Sequence, residues 1–209
     1  MTSLTNQQGC QLEWNRNKKP FKVKNFRKVN HSFRVPIQTL YLPRPANGSN
    51  KDEKTKKHGV YPLHFERKLK KWLGTDKYLH AFAGWSTTGF RVDIRPEVNP
   101  DLIADIHDLP FPDNYFPGVV ADPPYNNSFA KKLYGTPPLR QKEWVHELVR
   151  VCKPEGKIAI YHNYVFPRLP GCHYSMIIVT LLRIRCFPRV LTIFTKPPHN
   201  ETNLESFSN

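Results

Sequence analysis

A carboxylate, two prolines and an aromatic ring stand together at residues 122–125, Asp-Pro-Pro-Tyr, directly after the apolar run 118–121. Two consecutive prolines cannot continue a β ladder, so the predicted strand ends here. One interpretation is a strand terminator followed by a turn. The other is a rigid pocket in which Asp122 accepts hydrogen bonds and Tyr125 supports a planar substrate.

Two further aspartates follow apolar runs upstream, Asp93 after 90–92 and Asp105 after 102–104. Ligands of open α/β sheets bind outside the carboxyl ends of the strands, so these carboxylates and Asp122 can line one crevice. Asp93 is placed to accept from a ribose diol and Asp105 from the exocyclic amine of an adenine. A single aspartate after a strand is also a common turn residue or helix cap. Three of them, with the prolines, favour a nucleotide-like cofactor.

Helix and strand patterns alternate along the chain and indicate an α/β sheet. Residues 62–73 predict an amphipathic helix with a basic outer face, which begins at Pro62 and ends at Gly74. Residues 139–152 predict a second helix. The last two predicted strands form a terminal antiparallel hairpin. Strands are predicted at 77–83, 90–94, 102–104, 118–121, 157–162, 174–184 and 189–196.

The formal net charge of +15 is concentrated near the amino terminus. Residues 1–74 hold 17 Lys and Arg against 4 Asp and Glu, whereas residues 75–209 hold 15 against 13. Such a block favours an arm that neutralises nucleic-acid phosphates, although a solvated tail has the same composition. We predict a basic, partly extended or disordered arm over 1–60 with one short strand at 32–37, a catalytic domain over 61–196 and a polar tail over 197–209.

No apolar run is long enough to cross a membrane, and the first residues lack the pattern of a signal peptide. The four cysteines, at 10, 152, 172 and 186, have no metal-ligand spacing, and the nine histidines form no ligand cluster. We therefore expect a cytoplasmic protein without a membrane partner and without a metal.

Four segments of the sequence occur in the order of the motifs of one enzyme family: 82–84, 92–94, 104–111 and 122–125. Through these segments, residues 75–196 resemble class I S-adenosylmethionine-dependent methyltransferases that carry a DPPY motif. The resemblance implies a compact Rossmann-like sheet, S-adenosyl-L-methionine as cofactor, and methyl transfer to an exocyclic base amine in DNA. Adenine N6 is the first choice and cytosine N4 the second. RNA base methyltransferases also carry this motif, and a catalytically silent, nucleic-acid-binding relative is a further alternative.

The resemblance also implies roles for individual residues. Phe82, Ala83 and Gly84 would form the cofactor loop, and Asp93 would bind the ribose. Asp105 and Ile106 would flank the adenine, with Phe111 packed nearby. The catalytic pocket would comprise Asp122, Pro123, Pro124 and Tyr125.

Elementary chemistry gives an independent reason for that pocket. The lone pair of a base amine is delocalised into the ring, so the amine is a poor nucleophile. Hydrogen bonds to Asp122 and to the Pro123 carbonyl favour a more tetrahedral nitrogen that can attack a sulfonium methyl in line. The prolines stiffen the loop and preorganise these acceptors.

Three further residues are candidates for substrate binding. Lys131 and Lys132 lie in a loop that can close over the substrate and contact phosphates, and Asn163 can read a base edge or form a turn. The chain has no large insert for target recognition. Target choice would therefore come from the basic arm, the 126–138 loop or a protein partner.

The sequence departs from the family pattern in two places. Only 85–89 and 95–100 separate neighbouring predicted strands, which leaves no room for the usual crossover helices. Glu155 also stands where a glycine is more usual in the turn after the second helix.

Overall fold

The computed structural model describes residues 35–42, 61–62, 64–181 and 188–198, and for Leu133 and Tyr134 the backbone only. The predictions for 1–34, 43–60 and 199–209 lie outside the described residues. Eight strands of the described chain form one sheet in the order β1-β7-β8-β6-β5-β2-β3-β4. The strands are β1 (Ile37–Tyr41), β2 (Leu79–Ala81), β3 (Phe90–Asp93), β4 (Leu102–Ile103), β5 (Phe116–Ala121), β6 (Cys152–His162), β7 (His173–Leu181) and β8 (Arg189–Thr195).

After the edge strand β1, the chain returns to the sheet at β2, and the next four strands are added on both sides of β2. β2 pairs in parallel with β3 and β5, β3 with β4, and β5 with β6. The resulting order β4-β3-β2-β5-β6 is the doubly wound order of the Rossmann fold. β8 lies antiparallel between β6 and β7. The predicted Rossmann-like sheet and its terminal antiparallel hairpin are therefore confirmed.

Helix α1 (Phe65–Leu73) covers one face of the sheet. Its buried residues Phe65 and Leu69 pack with Tyr161 and Leu191 of the sheet, while its lysines face outward. The helix ends at Gly74 as predicted, where a left-handed backbone lets the glycine N–H donate to the Lys70 carbonyl at 2.9 Å. It begins three residues after Pro62, because His64 adopts a left-handed conformation with φ 66°.

Helix α3 (Gln141–Val151) covers the opposite face. Trp144 and Leu148 are buried against Val119 and Ile158 at the centre of the sheet. A short helix α2 (Asn127–Phe129) and a π-helical turn (Ala130–Tyr134) precede α3 in the crossover from β5 to β6. Both predicted helices therefore exist, one on each face.

Only the last residue of the strand predicted at 32–37 lies in a described strand, since 35 and 36 have no strand structure and 32–34 lie outside the described residues. The structure has β1 at Ile37–Tyr41, parallel to β7, with Ile37 paired to Ile177. The open edge of β7 sets this register, which no local pattern reveals. These five residues pair with the edge of the sheet, and the domain boundaries at residues 60 and 196 stay a prediction.

The connections near the amino end of the sheet are short. Residues 82–89 join β2 to its parallel neighbour β3 without a helix, and one 3-10 turn (Pro96–Val98) lies between β3 and β4. The predicted loss of the first crossover helices is confirmed. No helix among the described residues has the length and apolar character needed to span a bilayer.

Candidate functional site

One cleft of about 610 Å³ opens where the parallel strands end. Seven residues that the sequence analysis selected line it, and they come from four separate segments of the chain: Phe82, Gly84, Asp93, Asp105, Ile106, Asp122 and Pro124. The sheet brings these segments together because parallel strands present their carboxyl ends at the same edge.

The loop after β2 forms the floor of the cleft beside β3. Phe82 has φ 53° and Gly84 φ 52°, and the Gly84 N–H donates to Asp93 Oδ2 at 2.8 Å. A left-handed phenylalanine is costly and is found mainly where the surroundings enforce it, often at functional sites. Ala83 is buried and donates its N–H to the Val92 carbonyl at 3.1 Å, so it supports the loop from behind.

A buried polar network anchors this loop to α1. Ser86 donates to Glu66, which also accepts from the Thr87 N–H at 3.1 Å. His80 Nδ1 lies 3.0 Å from the Thr88 carbonyl oxygen, and its Nε2 lies 2.9 Å from the Tyr61 hydroxyl. A carbonyl only accepts, so Nδ1 carries the proton and Nε2 accepts from tyrosine. Burial lowers the pKa of His80 to about 4, and the ring is neutral.

Asp93 is saturated with hydrogen bonds. Its Oδ1 accepts from the Arg95 backbone N–H at 3.0 Å and from Arg95 Nε at 3.1 Å. Its Oδ2 accepts from Arg95 Nη2 at 3.2 Å and from Gly84. A carboxylate offers about four acceptor positions, and these contacts use them. The carboxylate can therefore accept hydrogen bonds from a ribose only if the Arg95 side chain moves away or if both donors bind the same oxygen.

Asp105 retains an open oxygen. Its Oδ1 accepts from the His107 N–H at 2.9 Å and from His107 Nδ1 at 2.5 Å. Both bonds go to Oδ1, so His107 leaves Oδ2 available as an acceptor at the cleft that Asp105 lines. Desolvation acts to raise the pKa of Asp105, but the hydrogen bonds from His107 lower it overall, so the carboxyl is ionised at neutral pH.

Asp122 is paired with a residue far away in the sequence. Arg189 Nη2 donates to Asp122 Oδ1 at 2.7 Å, and the two side chains are 16% and 9% exposed. The guanidinium carbon of Arg189 lies 4.0 Å from the centroid of the Tyr161 ring and 5.2 Å from that of Tyr125. Burial raises the pKa of the Asp122 carboxyl, and the charge and hydrogen bond of Arg189 oppose that rise.

An aromatic wall surrounds Tyr125. Its ring lies 5.9 Å from Phe129 and 5.3 Å from His162, and the His162 ring lies 4.1 Å from Tyr164. Phe129 and Tyr164 are each 43% exposed. Burial lowers the pKa of His162 to about 4. The wall offers flat apolar surface next to the carboxylate of Asp122.

Two buried side-chain nitrogens beside this wall have no hydrogen-bond partner among the described residues, His162 Nδ1 and Arg189 Nε. Buried polar groups normally form hydrogen bonds, so a buried polar atom without one is a candidate contact for a ligand. Both of these residues contact Tyr125.

The remaining selected residues lie outside the cleft. Pro123 is buried beneath it. Lys131, Lys132 and Asn163 are exposed at the surface and do not line it. Phe111 packs away from the cleft, against Phe90 and Phe116, with ring centroids 5.7 and 5.0 Å apart.

The sequence analysis missed Arg95 and Arg189. Arg95 directly follows the strand predicted at 90–94 and could have been suspected from that position. Arg189 begins β8, whose register pairs Val190 with His162 at the end of β6. Only this antiparallel pairing brings the start of β8 to the edge where the parallel strands end. Within the described ranges, no group of three or more His, Cys, Asp or Glu side chains could hold a metal ion.

No family model matches the chain, and no curated protein is similar to it. Several solved structures are similar. The N-methyltransferase NodS from Bradyrhizobium japonicum, in complex with S-adenosyl-L-homocysteine, aligns with a TM-score of 0.46 and 12% identity over 64% of this chain and 88% of that one. TrmN from Thermus thermophilus aligns with a TM-score of 0.46 and 18% identity over 66% of this chain and 50% of that one.

A complex between the Haloferax volcanii Trm112 methyltransferase activator and the putative methyltransferase is also similar, with a TM-score of 0.44 and 17% identity over 59% of this chain and 83% of that one. The strand order, and not these distant alignments, defines the fold class of this chain.

Proposed function

We propose that this chain transfers a methyl group from S-adenosyl-L-methionine to an exocyclic base amine in DNA, with adenine N6 as the first choice and cytosine N4 as the second. The observation that carries the proposal is the shared cleft, in which the nucleotide-type acceptors Asp93 and Asp105 face the same space as Asp122 and Pro124.

The cleft suits an adenosine-containing cofactor. Its lining combines apolar side chains with a small number of carboxylates, which is typical of small-molecule sites. Asp105 would accept from the adenine amine through Oδ2, and the apolar side chains of Ile94 and Ile106 would contact the ring faces. Asp93 would accept from the ribose once Arg95 moves aside. When bound, S-adenosyl-L-methionine supplies an electrophilic methyl group.

The residues of the Asp-Pro-Pro-Tyr segment would prepare the acceptor amine. Asp122 Oδ1 is held by Arg189, so Oδ2 is the oxygen left to accept an N–H. The Pro123 carbonyl is a second acceptor, and the two prolines keep both acceptors in place. These hydrogen bonds withdraw the amine lone pair from the ring and aim it toward the cleft.

The aromatic wall would hold the base after it leaves its stack. Tyr125, Phe129 and Tyr164 present exposed or half-buried ring faces beside Asp122. Enzymes that modify a base inside a duplex extrude it, or they act on single strands, and aromatic faces replace the lost stacking. Lys131, Lys132 and Asn163 would contact the flanking backbone or base edges.

Positive charge near the site supports a nucleic-acid substrate. The first turns of α1 are tied to the cofactor loop through Glu66, and the outer face of the helix carries Arg67, Lys70 and Lys71. Cations on this face would neutralise phosphates and make binding sensitive to salt. The basic residues of 1–34 would add to this neutralisation of phosphates.

The direct experiment incubates the purified full chain with labelled methyl donor and, separately, double-stranded DNA, single-stranded DNA and RNA. Mass spectrometry of the digested product identifies the modified nucleoside. N6-methyladenosine or N4-methylcytidine in the deoxy series supports the proposal. Label found in RNA alone would favour the RNA base methyltransferase instead. The absence of label from all three nucleic acids would contradict the proposal.

One observation favours a second candidate, a methyltransferase-like chain that binds nucleic acid without catalysis. Every acceptor position of Asp93 is already used by Gly84 and Arg95. Calorimetry with S-adenosyl-L-homocysteine separates the candidates. A silent chain would bind DNA or RNA but not this ligand, whereas the enzyme would bind both.

A further inference from the structure

We propose that Arg189 is a positioning residue that holds the Asp122 carboxylate ionised and turned toward the acceptor amine. The inference rests on the proposed function and adds to it a residue from the opposite end of the chain. The Nη2–Oδ1 distance of 2.7 Å is that of a strong charge-assisted hydrogen bond.

Two aromatic rings and a backbone hydrogen bond hold Arg189 in place. It lies over the Tyr161 ring at 4.0 Å, and the Tyr161 hydroxyl is 2.7 Å from Thr180 Oγ1. Thr180 in turn donates to the Arg189 carbonyl at 2.9 Å. Tyr125 lies on another side at 5.2 Å. A side chain fixed in this way orients the carboxylate that it binds.

Arg189 is the cation among the described titratable groups that face Asp122. The phenols of Tyr61 and Tyr161 also interact with Asp122, whereas His162 and Tyr125 lie beside Arg189 itself. Burial raises the pKa of Tyr61 and raises that of Tyr161 to about 12, so both phenols are neutral at physiological pH. The His162 ring is neutral there too. Without the guanidinium, the buried carboxyl would have no positive partner among the residues that the structure describes.

A purely structural ion pair would be expected to use the whole guanidinium. Instead, Arg189 Nε is buried without an acceptor among the described residues, a cost that a stability role does not explain. A neutral carboxylic acid at position 122 would donate a proton and be a poor acceptor for an amine N–H. Keeping Asp122 ionised therefore bears directly on the chemistry.

The central test compares Arg189→Gln with Arg189→Lys in the full chain. Loss of the positive charge raises the pKa of Asp122, because a neighbouring cation favours the ionised carboxyl. Methyl transfer by the Gln variant should therefore fall several-fold at neutral pH and recover as the pH is raised. The Lys variant should keep most activity. Affinity for S-adenosyl-L-homocysteine should change little in either.

A second variant pair separates ionisation from folding. An amide oxygen accepts without being ionised, so only the orienting contact of Arg189 matters when residue 122 is Asn. Arg189→Gln should therefore cost less activity in the Asp122→Asn background than beside the native aspartate. Additive losses in the double variant would overturn the inference.

A readout without turnover keeps the inference separate from the proposed function. Carbon-13 NMR of labelled aspartate follows the Asp122 carboxyl directly, and its titration should move to higher pH in Arg189→Gln. An unchanged titration would overturn the inference whatever the activity. A shifted titration in a chain that methylates no nucleic acid would support the role of Arg189 and defeat the proposed function.

Discussion

Arg95 covers Asp93 with three hydrogen bonds, at 3.0, 3.1 and 3.2 Å, two from the guanidinium and one from the backbone. The pair is largely buried at the rim of the cleft, where the side chains of Arg95 and Asp93 are 14% and 6% exposed. Asp93, which the sequence analysis predicts to bind a ribose, thus already forms hydrogen bonds with Arg95. The guanidinium and a diol compete for the same oxygens.

Arg95→Met should strengthen binding of S-adenosyl-L-homocysteine, because it frees acceptor positions on Asp93. Removal of one charge-assisted competitor corresponds to about a tenfold gain. Isothermal calorimetry measures the change. Arg91→Met is the matched control, since Arg91 pairs with Asp101 outside the cleft at 2.7 Å. Weaker binding by the Arg95 variant would mean that Arg95 itself contacts the ligand.

Asp122→Ala should abolish methyl transfer while leaving affinity for S-adenosyl-L-homocysteine within about twofold. Loss of a preorganised polar contact in an active site costs about a hundredfold or more in turnover. Radiolabel transfer and calorimetry give the two quantities. Asp76→Ala removes an exposed aspartate away from the cleft and should change neither. A parallel fall of activity and ligand affinity would contradict the division of the cleft into donor and acceptor parts.

His80 should make the protein sensitive to acid. Its pKa is about 4 in the folded state, against about 6.5 in an unfolded chain. As the pH falls, the unfolded chain therefore takes up a proton before the folded one does. The free energy of unfolding decreases by about 3 kcal/mol between about pH 6.5 and pH 4.

His80→Gln should flatten this dependence, since glutamine does not titrate. Urea unfolding at several pH values across the window measures the slope. His173→Gln, at an exposed position, is the control and should leave the slope as in the parent chain. An equally steep loss in the His80 variant would place the acid sensitivity elsewhere.

Glu155→Gly should stabilise the fold. Glu155 has φ 62° near the start of β6, a conformation that costs a side-chain-bearing residue about 1 kcal/mol or more. For a chain of this size the gain corresponds to a Tm rise of about 2 to 4 °C. Calorimetric melting tests it, with Lys153→Gly as a control that should lower the Tm. A Tm at or below that of the parent would count against strain at Glu155.

Deletion of residues 1–34 should weaken nucleic-acid binding and reduce its dependence on salt. The segment holds eight Lys and Arg and one Glu, and ending the deletion there spares β1. Each lost phosphate contact removes about 0.9 from the slope of log affinity against log salt. Fluorescence anisotropy between about 50 and 200 mM salt measures both quantities. Unchanged affinity would mean that the segment is a solvated tail.

Local signals were enough to predict most elements. The strands, helices α1 and α3 and the shortened connections follow from apolar spacing and from proline and glycine positions, which act over a few residues. The register of β1 did not follow, because it depends on the open edge of β7, more than a hundred residues away. The start of α1 also differed, since the backbone of His64 turns before the helix begins.

The sequence alone determined which residues end the strands, and so which carboxylates could meet at one edge. Asp93, Asp105, Asp122 and their flanking residues follow from this rule, since every parallel strand delivers its last residue to the same side. Their actual hydrogen-bond partners were decided by the tertiary structure. Arg189 meets Asp122 across 67 positions only because β8 runs antiparallel to β6, and a long-range pairing of this kind leaves no local trace in the sequence.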